Sequence, residues 1–210
     1  MSASVSNPSP STASPRPLHV AVELSGAGRH PAAAAHTDFR IPLGLSDYWV
    51  ELTSSTLDLV GDPGSVVRVR AHDLGEAHRK REIVRNRAER DGRDPDTIAV
   101  LLDVEVLLAD DHRSAYRELA RLDAGLPDRR VPESIWYAGT APGLVGLLSD
   151  IRTAGVADGV TLLPLVLPQV LDRVVDDVLP PLHAAGVTRP SAILGEVLGR
   201  FGLTPRALAS

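Results

Sequence analysis

Between Trp136 and Leu167 the apolar residues first recur at helical spacing and then run together. Leu144, Leu147, Leu148 and Ile151 share one helical face. Thr140 is a good N-cap, and Pro142 falls in the first turn, where its missing N–H costs nothing. Gly155 is placed to stop the helix in a left-handed C-cap. The uninterrupted run Val160–Leu163, closed by Pro164, suits a parallel strand buried on both faces.

The rest of the chain repeats this grammar. Leu18–Leu24 reads as a buried strand, followed by a long irregular stretch from Ser25 to Leu43 that holds Gly26, Gly28, Arg29, His30 and His36. Loops of that length are usually functional or disordered. Ser46 or Asp47 then predicts a helix cap, with Tyr48, Trp49 and Leu52 as the apolar stripe of a helix to about Thr56. Leu57–Val60 is a candidate strand, Gly61–Gly64 a dense turn, and Val66–Ala71 a strand with alternating arginines. Asp73 and Glu76 form a capping box for a helix to about Asp91. Ile98–Leu108 is the clearest strand, and Asp110 or Asp111 opens a helix to about Ala124. After a polar loop, Gly125–Pro132, comes the unit described first. Pro168–Ala185 reads as a helix kinked or frayed at Pro180-Pro181, and a short helix is expected around Ala192–Phe201. Strands alternating with helices define an α/β class: a mostly parallel sheet of about five strands with helices outside. A closed eight-stranded barrel needs roughly 250 residues.

Composition narrows the picture. The chain has 210 residues, 43% hydrophobic and 23% charged, so a globular domain is expected. Residues 1–17 are Ser-, Pro- and Ala-rich and read as a disordered tail. The folded domain is expected over 18–187, with a helical tail over 188–210. A formal charge of −5 argues against nucleic acid as the main partner. Cysteine is absent, which excludes disulfides and thiolate chemistry. No apolar run approaches the roughly 20 residues of a membrane span, so the cytoplasm is the expected compartment and no membrane partner is expected.

Two features could carry chemistry. Gly139 and Thr140 precede a helix N-terminus, where backbone N–H groups can hold phosphate; the alternative is a simple helix cap. Asp103 and Glu105 lie two apart on one strand and face the same side. They are either acid–base carboxylates or buried acids partnered by arginines. The histidines are not spaced as a metal site.

Four segments carry a family resemblance. L-H-V-A-V-E-L with G-A-G-R-H-P resembles the first strand and loop of the luciferase-like flavin-dependent monooxygenases, in the branch that acts on long-chain alkanes, nitrilotriacetate and sulfones. L-S-D-Y-W-V-E-L resembles their first barrel helix. A-H-D-L-G-E-A-H-R-K, G-R-D-P-D and L-L-D-V-E-V-L-L-A-D resemble the sixth and seventh barrel units. Trp136–Val187 resembles the last helix, eighth strand and closing helix.

The resemblance implies a TIM-barrel-derived fold, FMN or a deazaflavin as cofactor, a small organic substrate that receives one oxygen atom, and a flavin reductase as partner. It implies that His30 points into the active site, where a histidine in a glycine-rich loop is otherwise a solvated polar residue. It also implies a gap. Between Val60 and Gly61 the family carries its third to fifth strands, with the loop that grips the flavin phosphate. An incomplete barrel predicts weak flavin binding, and an open strand edge predicts association into a homo-oligomer. The alternative function is a non-catalytic flavin- or ligand-binding remnant, or a partner subunit.

Overall fold

The computed structural model describes residues 16–24, 26–33, 48–53, 65–192 and 194–199. Six strands form one sheet: β1 (His19–Leu24), β2 (Tyr48–Glu51), β3 (Val66–Val69), β4 (Ala99–Leu108), β5 (Ile135–Gly139) and β6 (Gly159–Pro164). The order is β2-β1-β6-β4-β3, with β5 also on β4. All neighbours are parallel except β2, which runs antiparallel to β1. The expected parallel sheet with outer helices is therefore present, as a curled half-barrel with six strands in place of about five.

β4 is the axis of the sheet, buried over all ten residues. One of its edges pairs with β6 from Leu101 to Val106. The other is shared end to end, with β3 on Ala99–Leu102 and β5 on Val104–Leu108. Ser134 fills the handover: its hydroxyl accepts from Ala71 N–H at 3.1 Å and lies 2.7 Å from the Asp103 carbonyl.

Alternation divides the sheet into two faces. Val20, Val22, Leu102, Val104, Val160 and Leu162 join the main core beneath the helices. Asp103, Glu105, Thr161 and Glu23 lie on the opposite, concave face, with Leu101 and Ala21 forming a small apolar floor.

The helices begin where side chains can cap them. Asp73 accepts from Glu76 N–H at 2.7 Å to open α1 (Leu74–Arg90), Asp111 from Ser114 N–H at 2.9 Å to open α2 (His112–Asp123), and Thr140 from Gly143 N–H at 3.3 Å to open α3 (Ala141–Thr153). The other arm of the α1 capping box reaches one residue further back, with Glu76 accepting from His72 N–H at 2.8 Å. Chain crossovers are right-handed. The steps β3 to β4 and β5 to β6 move one way across the sheet, so α1 and α3 share a face. The step β4 to β5 moves back, which sends α2 over the concave side. The contacts agree: Trp136, opposite Glu105 on β4, meets Tyr116 of α2 edge-on at 6.2 Å between ring centres.

Three expectations are corrected. Residues from Tyr48 form a strand, not a helix. Three apolar residues over one and a half turns make a weak helix nucleus, whereas Tyr48, Trp49 and Val50 suit a pleated surface and complete the exposed edge of β1. Ile135–Gly139 is a strand that the polar approach loop concealed. The single helix expected over Pro168–Ala185 is three pieces: α4 (Gln169–Arg173), a π turn (Val174–Val178) and α5 (Leu179–Ala184). Pro180 and Pro181 carry no N–H for the carbonyls four residues back, and the helix widens just before them, with Leu179 N–H bonding Val174 O. The candidate strand Leu57–Val60, the caps at Ser46 and Asp47 and most of the N-terminal tail lie outside the described residues. Of the C-terminal tail, α6 (Leu194–Gly199) is described, and its Leu198 is buried in the main core. No helix among the described residues is long and apolar enough to cross a membrane.

At the N-terminal rim, Asp158 binds α1 to the sheet. It accepts from Arg81 and Arg85 at 2.9 Å and from Val100 N–H at 3.0 Å, and all three side chains are under one-fifth exposed. Asp158→Ala takes the shared carboxylate from two arginines, leaving them only Glu82 and Asp96, and strands a strand N–H, with an expected loss of about 2–4 kcal/mol in urea unfolding. Glu118→Ala, which breaks an exposed pair with Arg121, should cost about 0–0.5 kcal/mol. The Glu76 carboxyl is pulled down to about 2, first by His72 N–H and then by Lys80. Its folded value lies below the ordinary 4.5, so its support for α1 is full above that pH and fades as pH falls through about 2. A carboxyl NMR titration of Glu76 with a midpoint near 4.5 would contradict this.

Candidate functional site

In parallel sheets that carry sites, chemistry gathers beyond the C-terminal ends of the strands. Here that rim is built from the loop after β1, the residues after β3, the approach to β5, the β5–α3 junction and the segment after β6. The β1 loop is sewn to the β6 segment by three backbone bonds: Arg29 N–H to Pro164 O at 2.7 Å, His30 N–H to Leu165 O at 3.1 Å and Leu167 N–H to Ala27 O at 2.8 Å. Gly28 makes this approach possible. Its φ is +128°, and a β-carbon there would collide with the Leu165 carbonyl.

The concave face below the rim holds a lattice of arginines and acids. Asp103, 2% exposed, receives Arg68 in bidentate fashion, Nε and Nη2 each at 2.9 Å. Arg68 Nη1 continues to Glu23 at 2.6 Å. Burial pulls the Arg68 pKa down, but hydrogen bonds and charge from Asp103, then Glu23, outweigh it and leave the pKa above the usual arginine value. Arg70 lies 3.4 Å from Asp103 and 2.6 Å from Glu133. Arg29 reaches the same Glu133 oxygen at 2.7 Å and stands 3.5 Å from Glu23. Glu105 is closed by Arg130 and by Glu133 N–H at 3.1 Å. Of the two readings open for Asp103 and Glu105, the structure shows buried acids partnered by arginines.

His30 sits in the β1 loop, buried, with both ring nitrogens engaged. Ala32 N–H donates to Nδ1 at 3.1 Å, so Nδ1 is an acceptor and the proton sits on Nε2, which donates to Asp123 at 2.9 Å. As placed, His30 ties the β1 loop to the end of α2.

Gly139 and Thr140 lie at the opposite side of the rim, where Ala109 N–H bonds Gly139 O at 2.9 Å. Thr140 caps Gly143 N–H, Leu144 N–H bonds Thr140 O at 3.1 Å, and Pro142 has no N–H. The Tyr137 hydroxyl donates to Thr140 O at 3.0 Å and lies where a side chain on Gly143 would go. The turn thus serves as a capped helix start, closed over by Tyr137.

A flavin mononucleotide needs donors for its phosphate. Among the described residues, the arginines on the concave side, Arg29, Arg68, Arg70 and Arg130, are all paired with carboxylates, and Gly143 N–H and Leu144 N–H at the α3 start are taken by Thr140. As arranged, these residues do not fit the phosphate: it would have to displace an internal acid. Reasoning from sequence found Asp103 and Glu105 through their spacing but missed Glu23, Glu133 and Ser134, which lie far away in the chain and become neighbours only through strand order.

The architecture defines a partial parallel barrel with a polar interior. Solved structures share it. A long-chain alkane monooxygenase (LadA) superposes with a TM-score of 0.51 at 17% identity, over 60% of this chain and 38% of that one. The EDTA monooxygenase EmoA of Chelativorans sp. BNC1 gives 0.52 at 18%, over 59% and 42%. A riboflavin lyase (RcaE), solved with modified FMN and riboflavin, gives 0.52 at 13%, over 60% and 40%. The chain thus spans about two-fifths of the length of these proteins. No protein-family model and no curated protein sequence matches it. The similarity is one of fold, and the half-barrel agrees with the truncated TIM-barrel-derived sheet expected from the sequence.

Asp103→Asn should leave Arg68 and Arg70 without their shared buried charge and cost about 2–4 kcal/mol in urea unfolding. Arg70→Gln, on a half-exposed side chain, should cost about 1 kcal/mol or less. Equal losses in the two variants would refute the ranking.

Proposed function

We propose that this chain derives from the luciferase-like flavin-dependent oxidoreductases, monooxygenases that use FMN or a deazaflavin on a small organic substrate and draw reduced flavin from a reductase. In that class the cofactor supplies the oxygen chemistry and the protein supplies binding and shielding. The fold supports the descent: four parallel neighbours in the order β1-β6-β4-β3 match the first, eighth, seventh and sixth strands that the sequence resemblance assigns. Only residues 54–64 separate the described segments where the middle strands would lie, about a third of the roughly 30 residues that one βαβ unit takes.

One observation favours the second reading, a non-catalytic ligand-binding or partner subunit. The interior that would face a flavin is neutralised by its own acids, and both nitrogens of His30 are engaged. Charge-assisted hydrogen bonds contribute roughly 1.5–3 kcal/mol each. Losing two or three of them weakens binding by several powers of ten, at about 1.4 kcal/mol per tenfold.

The polypeptide should therefore bind FMN with a Kd around millimolar or weaker, measured by quenching of flavin fluorescence, and a deazaflavin no better. Saturable micromolar binding at one site per chain would overturn the second reading and restore a flavin enzyme.

A further inference from the structure

Arg29 and Arg70 come from different strand ends, after β1 and after β3, and converge on one atom. Arg29 Nη2 lies 2.7 Å and Arg70 Nη1 2.6 Å from the same oxygen of Glu133. Glu133 is 55% exposed and sits on the loop before β5, while the partners behind the arginines are buried: Glu23 at 9% and Asp103 at 2%. The charges balance in a telling way. Arg29, Arg68 and Arg70 carry three positive charges, and Glu23 and Asp103 carry two negative ones. The remaining positive charge is matched by Glu133 alone within this cluster. Beside it opens a cleft of about 580 Å³ lined by Arg68, Val69, Arg70, Lys80 and Asp103.

We infer that Arg29 and Arg70 form a binding site for an oxyanion, a small-molecule carboxylate or phosphate, and that Glu133 is its internal occupant, displaced when the ligand binds. Two guanidinium groups aimed at one point are a pre-organised oxyanion clamp. Glu133 is not their sole partner, because Glu23 stands 3.5 Å from Arg29 and Asp103 3.4 Å from Arg70 on the buried side. Glu133 is easily exchanged, because an exposed ion pair contributes little to stability. Arg68 and Arg130 are different: their partners Asp103 and Glu105 are buried strand residues that cannot swing away. The internal carboxylate competes at a high effective concentration, so it masks the clamp against weak anions.

The test uses the full chain and two probes, inorganic phosphate and acetate, titrated by calorimetry at constant ionic strength with sodium chloride as the balancing salt. Glu133→Gln keeps the shape of the side chain and removes its charge. It should bind at least one of the probes ten-fold or more tighter than the wild type, and the tighter probe names the ligand class. Adding Arg70→Gln to that variant should abolish the gain. Thermal unfolding should follow the same order, with the Tm of Glu133→Gln rising on addition of the preferred anion and that of the double variant not responding. Equal weak binding by wild type and Glu133→Gln, or a gain that survives Arg70→Gln, would overturn the assignment. The inference stands apart from the flavin reading: a chain that gains phosphate or acetate binding through Glu133→Gln while ignoring FMN keeps this site and loses that function.

Discussion

Asp103 is a carboxylate buried at the middle of β4, the longest strand, and the concave side of the protein is organised by its need for a partner. An isolated ion in that position would neutralise or unfold the strand. Arg68 meets it with two parallel hydrogen bonds and carries the charge on to Glu23, which joins β3, β4 and β1 across a distance that no backbone ladder spans. Arg70 and Arg29 extend the same lattice to the rim. Such a lattice is weak evidence for net stability, because desolvation offsets much of the attraction. Its effect here is to set register and direction: it holds three strand ends at one spacing and aims the guanidinium groups.

The opposite face works by a different physics. Val20, Val22, Leu102, Val104, Val160 and Leu162 contribute apolar area to the packing beneath the helices, a non-directional force that tolerates repacking. The capped helices α1 and α3 sit on that face, and Asp158 ties α1 to the strand starts below. Stability therefore lies mostly on the convex side and at the N-terminal rim, while polar, directional groups lie on the concave side and at the C-terminal rim. That division is the one found in parallel barrels that carry sites, and the half-barrel shows it among the described residues.

An open half-barrel changes what the polar face must do. In a closed barrel, interior charges can be met from across the barrel or by a bound molecule. In this chain they are met by neighbours: Glu133 from the β5 approach, Arg130 from the loop before it, and α2 brought over the concave side by the reversed crossover. Among the described residues, the concave-side arginines are thus paired internally, and Glu133 is the exposed carboxylate among their partners.

The sequence by itself determined the elements whose signals are local. Asp73, Asp111 and Thr140 cap the helices they were expected to cap, Gly155 ends α3 at φ +60°, and the apolar runs of β4 and β6 are strands. Each of these is decided within one or two turns or a single strand, so period, cap and glycine suffice. Only the tertiary structure decided the rest. Tyr48–Glu51 is extended because β1 offers an unpaired edge, and Ile135–Gly139 is a strand because β4 outruns β3 and leaves Val104–Leu108 to be paired. His30 was legible as a residue of interest, but its partners were not, since Asp123 lies 93 positions away. Glu133 carried no signal at all: its meaning comes from Arg29, 104 positions earlier, and Arg70, 63 positions earlier. Contacts of that separation follow strand order and crossover direction, which are properties of the whole sheet and are not written in any one stretch of chain.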